Sequence, residues 1–392
     1  TIGGPIDALR LRVDAGNFEM SGDADFTAVG ENPFGSSGSL DPTFSVGNVA
    51  GQTATYTQSS GNVAVFQSGA VAPFATTSVG NMPGATGIFN LNGGTFLTQG
   101  VMGVGNGTGT YNISAGIAAA GQFQPARNAG SSGTLNLGGG AEDAELQVIR
   151  LWGSFDDGNA QLNVGANGVL IVGSTTSFNG QAVLGGGDGN SSFELNMTDG
   201  AVLGVFGNSF IGSYSNNLGA PVAGTTNINL SGNGTLYRTL GSETAGGLMS
   251  LADGAFTAGN LLNLNVSDGA QLRAEFIYTS RSASDVLNLD IDGGSVVSDF
   301  LVYFGLGRDS GKGGTDNVTI RNGGSLTTGD LYMAIDGGFT SGGGMTTITV
   351  TGTGSSLNVV EDAELENFGQ LIVGYGRFGG TTATLNVLNG AT

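Results

Sequence analysis

One short phrase recurs along the chain and limits what it can fold into: an apolar residue, a polar one (usually Asn), another apolar one, then Gly and a small residue. It reads Phe89-Asn90-Leu91 before Gly93-Gly94, Tyr111-Asn112-Ile113 before Gly116, Leu195-Asn196-Met197 before Gly200-Ala201, and Leu264-Asn265-Val266 before Gly269-Ala270. It returns as Val318-Thr319-Ile320 and Leu385-Asn386-Val387, with less regular copies at Leu135-Asn136-Leu137, Leu162-Asn163-Val164, Ile228-Asn229-Leu230, Leu289-Asp290-Ile291 and Ile348-Thr349-Val350. The period runs from about 22 to about 37 residues, the range of solenoids and arrays. A second phrase, an apolar stretch ending in Gly, follows many copies, as in Val101-Met102-Gly103, Phe210-Ile211-Gly212 and Leu371-Ile372-Val373-Gly374. Each repeat thus offers two or three short strands of alternating character joined by glycine corners.

Strands this short cannot bury a face alone, but stacking each on its counterpart one repeat earlier solves the problem. Rungs then lie about 4.8 Å apart, and the inward Leu, Ile, Val and Phe side chains merge into a core. The expected fold is an all-β parallel β-solenoid of roughly a dozen rungs over residues 86–392, preceded by a less regular β-rich segment, 1–85, that caps or docks. A propeller would need a more uniform blade with an aromatic signature, and Trp152 is the only tryptophan.

Composition agrees with corners that use glycine repeatedly: 75 of 392 residues are Gly and only 11% are charged. The 31 acidic residues against 11 basic ones, net charge −20, disfavour nucleic acid, which needs clustered Lys and Arg. No apolar run approaches the roughly 18 residues of a membrane span. The start at Thr1 reads as a processed terminus or a segment of something longer. Asn389-Gly390-Ala391-Thr392 is half a repeat without a visible cap, which points to a continuing chain or to head-to-tail assembly into a filament.

Phrases such as Thr384-Leu385-Asn386-Val387-Leu388-Asn389-Gly390-Ala391-Thr392 and Leu371-Ile372-Val373-Gly374-Tyr375-Gly376 resemble the Gly/Asn-rich β-helical repeats of bacterial autotransporter passenger domains and related surface proteins. The resemblance covers residues 86–392. It implies an extracellular or cell-surface location and an adhesive or scaffolding role, and it transfers no functional residues.

The chemistry open to the chain is narrow. Histidine and cysteine are absent, which removes Ser–His–Asp and Cys–His catalysis and the commonest metal ligands. No catalytic residue and no organic cofactor is expected. Carboxylate chemistry is the remaining route to a polysaccharide lyase or hydrolase. Asp156-Asp157 are adjacent, and Asp290 and Asp292 project from one face of a strand; Arg150, Arg238, Arg273 and Arg281 are the cations such a lyase would use. For calcium, the acidic glycine loops Gly186-Gly187-Asp188-Gly189-Asn190 and Asp309 through Asp316 offer Asp188, Asp309 and Asp316 as ligands, without matching a nonapeptide or EF-hand pattern.

The outward polar ladder is the most informative surface: Asn90, Asn112, Asn136, Asn163, Asn196, Asn229, Asn265 and Asn386, with Thr110, Thr134, Asn227, Asn263 and Thr384 two residues before some of them. Amides stacked at strand spacing hydrogen-bond along the stack. The expected role is a structural or adhesive surface protein or filament subunit, a homo-oligomer with a cell-surface glycan as a further partner. The alternatives are a polysaccharide-active enzyme and an ice- or carbohydrate-binding module that uses the Thr/Asn face.

Overall fold

The computed structural model describes residues 6–8, 10–21, 25–31, 42–68, 76–126, 128, 130–153, 158–185, 192–212, 224–241, 247–252, 259–280, 284–306, 313–335, 344–361, 369–374 and 381–392. Among these every regular element is a strand, and the strands pair in parallel with their counterparts one repeat on, as the period-two alternation requires. Two compact units divide the chain, Thr1–Val172 and Gly173–Thr392. Each is a parallel β-solenoid whose repeats pass through three columns of stacked strands.

In the N-terminal unit the first column contains Gly16–Met20, Thr53–Gln58, residues 86–91 and 108–113, Ser132–Leu137 and Asn159–Val164. The second runs through Ile6–Ala8, Asp25–Glu31, Asn62–Ser68 and on to residues 168–172. The third contains Leu11–Val13, Phe44–Val46, Thr76–Val79 and the ends of the two long strands Thr86–Val104 and Thr108–Gln124. Inward positions of the first column stack Phe18, Tyr56, Phe89, Tyr111, Leu135 and Leu162 in register. Phe89 lies 5.3 Å from Tyr56 in a stacked pair and 4.7 Å from Phe96 edge-on, and Phe44 meets Tyr56 at 5.0 Å.

That aromatic core changes the reading of residues 1–85. The described strands there pair in the same parallel scheme as those after residue 86, and the division of the chain falls at Val172/Gly173. In the first column Phe18 and Tyr56 take the inward position that Leu takes later, and the outward amide is absent from Tyr56-Thr57-Gln58, so the recurring phrase is hidden while the geometry persists. Phe44 belongs to the core, Phe26 is buried, and Phe18 stacks on Tyr56.

In the C-terminal unit the first column contains Ser192–Met197, Thr225–Leu230, Leu261–Ser267, Val286–Asp292, Thr315–Arg321, Met345–Thr351 and Thr382–Leu388. Four of its corners into the second column follow one rule. Asp199-Gly200, Asp268-Gly269, Asn322-Gly323 and Asn389-Gly390 have φ of 54° and 85°, 53° and 83°, 54° and 80°, and 56° and 77°. The residue after each Gly donates its amide to the carbonyl three back: Ala201 to Thr198 at 3.1 Å, Ala270 to Ser267 at 2.9 Å, Gly324 to Arg321 at 2.9 Å and Ala391 to Leu388 at 3.2 Å. Two consecutive positive φ values closed by this bond make a type I′ turn, which selects Asn or Asp followed by Gly.

Candidate functional site

The alternation that buries Leu and Val in the first column sends the intervening residues outward, and stacking places like on like. In the N-terminal unit the expected amides form a hydrogen-bonded row. Asn90 Nδ2 donates to Thr57 Oγ1 at 3.1 Å, Asn112 to Asn90 Oδ1, Asn136 to Asn112 Oδ1 and Asn163 to Asn136 Oδ1, the last three at 2.8 Å. The donors and acceptors sit 33, 22, 24 and 27 residues apart, so the row closes loops of unequal length at one register. Beside it stand Thr55, Ile88, Thr110, Thr134 and Gln161, and beyond these Thr53, Thr86, Thr108, Ser132 and Asn159. From Thr53 onward these three rows carry no charged side chain, in a chain of net charge −20.

In the C-terminal unit the row shifts. Asn229 donates to Asn196 Oδ1 at 2.9 Å, as the sequence pattern implies. The next hydrogen-bonded amides lie one outward position earlier on each strand: Asn263 to Asn227 at 2.9 Å, Asn288 to Asn263 at 2.9 Å and Asn317 to Asn288 at 3.0 Å. Asn265 is in register with Asn229 but is followed by Asp290, and Asn386 donates to Thr349 Oγ1 at 3.4 Å. A carboxylate has no proton to pass along such a row. Asp290 is instead held by Arg321, at 3.1 Å from Nε and 2.7 Å from Nη2, and the same guanidinium reaches Asp292 at 3.0 Å. Asn288 and Asn317 escaped the sequence reading, which anchored on Leu289-Asp290-Ile291; the signal was the amide two positions earlier.

The pairing with Arg321 also bears on Asp290 and Asp292 as an acid–base pair. They share the outer face of one strand, but one exposed guanidinium bridges both, and the two carboxylates raise its pKa above the ordinary value. Arg273 is engaged similarly, 2.7 Å from Asp299. Asp156, Asp157 and Arg281 lie outside the described residues.

Of the three residues expected to bind calcium, Asp188 and Asp309 lie outside the described residues, and Asp316 is placed differently from the expectation. It is an inward residue of the strand Thr315–Arg321, fully buried, not a ligand on an open loop. Its Oδ2 accepts from Thr279 Oγ1 at 2.6 Å and its Oδ1 from Ser280 Oγ at 2.5 Å. Burial pushes its carboxyl up to about 6, against the partial opposition of the Ser280, Thr279 and Gly305 hydrogen bonds. The strand begins at Thr315, two residues earlier than the loop reading allowed, and Asp316 falls on its inward phase. Among the described residues no three carboxylates gather where a cation would sit.

Outside the first column, the C-terminal unit carries a feature the sequence reading missed. Tyr278, Tyr303 and Tyr332 are in register on the outer side of the third column, which here contains residues 248–251, 276–279, 301–304 and 330–333, with ring centroids 5.2 Å and 4.6 Å apart. No family model matches the chain, and neither a curated protein nor a solved structure matches it.

Proposed function

We propose that this protein is an extracellular structural or adhesive β-solenoid, a cell-surface or filament subunit. The observation that carries the reading is the outward row of side-chain amides, hydrogen-bonded from rung to rung at 2.8 Å in the N-terminal unit. Backbone pairing already fixes the rungs; a second, parallel hydrogen-bonded file on the outer surface stiffens the stack and presents a periodic neutral face. Both properties suit a surface scaffold that must keep its shape under load. The strong acidity elsewhere on the chain keeps such a scaffold soluble. The autotransporter-like repeats support the same location and role.

The test is immunogold labelling of intact source cells with antibody to this chain, together with electron microscopy of the purified protein. Labelling of unpermeabilised cells, with a fibrous or surface-layer distribution, is the expected result. Label confined to permeabilised cells overturns the location. Release of reducing ends from a polysaccharide by the pure protein overturns the role in favour of an enzyme.

A further inference from the structure

We propose that the outward aromatic row of the third column in the C-terminal unit, centred on Tyr303, is a binding site for neutral polysaccharide chains. The row is separate from the amide ladder, so its failure leaves the structural reading standing.

The row is produced by register. Residues 276–278, 301–303 and 330–332 pair position by position, which puts Tyr278, Tyr303 and Tyr332 one above another and half-buried, with Ile372 continuing the row. Successive strands lie about 4.8 Å apart, so an extended glycan running across the rungs meets one ring per step of roughly a sugar's length. Register shifts before Phe276 and before Leu301 flank a second aromatic pair, Phe276 and Phe300, stacked at 4.9 Å with planes 5° apart. The tyrosine planes are canted instead, by 55° and 34°. Canted, half-buried rings offer both faces and edges, each ring carrying a hydroxyl. That combination, an apolar body with a hydroxyl at the tip, complements a pyranose, which has an apolar C–H face and a hydroxylated edge.

Charge separates this ligand from its competitors. A polyanion is repelled by a chain of net charge −20. A cationic partner would need carboxylates available beside the rings, and those nearby are engaged. Asp299 is held by Arg273 at 2.7 Å, while Asp330 accepts the Gln370 amide at 2.8 Å and bonds the Tyr332 phenol. Burial, reinforced by Tyr332, Tyr278 and Asp330, pushes the Tyr303 phenol up to about 12, so the central ring stays uncharged at any ordinary pH.

The experiment is native affinity electrophoresis of the whole protein in gels cast with laminarin, hydroxyethylcellulose or galactomannan, with polylysine as competitor. Retardation by at least one neutral polymer is expected, insensitive to salt. The double substitution Tyr303→Ala and Tyr332→Ala should raise the dissociation constant about tenfold or more, and Tyr303→Phe, which keeps the ring and loses only the hydroxyl, should raise it by less. If the alanine variant loses the wild-type circular-dichroism spectrum, Tyr303→Thr with Tyr332→Thr, β-branched at the same outward positions, carries the same test. Absence of retardation by all three polymers overturns the proposal, as does wild-type retardation of the double variant. Salt-sensitive binding displaced by polylysine would reassign the row to a cationic partner.

Discussion

Asp316 gives the fold an unusual pH dependence. Its carboxyl is fully buried, and burial raises its pKa from 3.8 to about 6 despite hydrogen bonds from Ser280, Thr279 and the Gly305 amide. Below pH 3.8 the group is protonated in the folded and unfolded chains alike and costs nothing. As pH rises further the unfolded chain ionises first, while the folded chain holds its proton until about pH 6. Stability is therefore lost across that window and the loss is complete above it, the reverse of an acid that is salt-bridged on the surface. Two units at about 1.4 kcal/mol each make the loss ~3 kcal/mol by pH 7. Asp316→Asn keeps the shape and an acceptor but carries no titrating proton. Urea unfolding of both proteins at a series of pH values isolates the effect, because the other carboxylates titrate in both and cancel in the difference. Wild type should lose ~3 kcal/mol relative to the variant between about pH 3 and pH 7. Amide exchange at Ser280 and Gly305 localises the change to the C-terminal unit. A flat difference, or one in which wild type gains on the variant as pH rises, would refute the assignment of Asp316 to the interior.

The amide row makes its own demand: Asn136→Ala removes one bond to Asn112 and one from Asn163, and the urea midpoint should fall by the equivalent of about 1–3 kcal/mol. Gly323 has φ of +80° with open space where a Cβ would go, so Gly323→Ala should cost ~1–2 kcal/mol from backbone strain alone; a neutral result in the melting temperature would contradict the type I′ corner. Phe89→Ala empties the centre of the N-terminal aromatic stack and should cost about 3–5 kcal/mol, followed by the fluorescence of Trp152, the one tryptophan, which lies in that unit.

Much of the fold was legible because a parallel solenoid writes its register into the sequence. Leu135-Asn136-Leu137 and Leu162-Asn163-Val164 look alike because each stacks on the other, and unequal loops between them leave the pairing intact. The N-terminal rungs were illegible for the converse reason. Phe18 and Tyr56 satisfy the same inward position as Leu135, but an aromatic core needs no repeated Leu-Asn-Leu, so the geometry outlasts the motif. Asp316 was misread because a carboxylate among glycines looks like a loop ligand; only the phase of the strand, inward at 316 and outward at 317, places it in the core. The tyrosine row was invisible for a different reason. Its members are 25 and 29 residues apart, and bulges on either side change the local count, so no fixed period aligns them.

The corners show where local sequence is ambiguous in principle. Asn-Gly or Asp-Gly between two apolar runs is the strongest short-range sign of a β-hairpin, and the type I′ turn it encodes is present at Asp268-Gly269 and Asn322-Gly323. The flanking strands nonetheless do not pair with each other as a hairpin would: Val286–Asp292 and Thr315–Arg321 pair one repeat apart, and Ser295–Phe304 pairs with Ser325–Met333. The turn fixes only the change of direction. What decides between hairpin and corner is whether the inward faces of the two strands are better buried against each other or against the next repeat. Here Leu264, Leu289, Val318 and Ile348 stack in register along the repeats, so burial favours the neighbour one repeat away and each turn becomes a corner. The same competition makes the outward rows possible, since only strands stacked by repeat bring Asn to Asn and Tyr to Tyr. Local turn chemistry and long-range register are therefore separate signals, and the outward rows are set by the second.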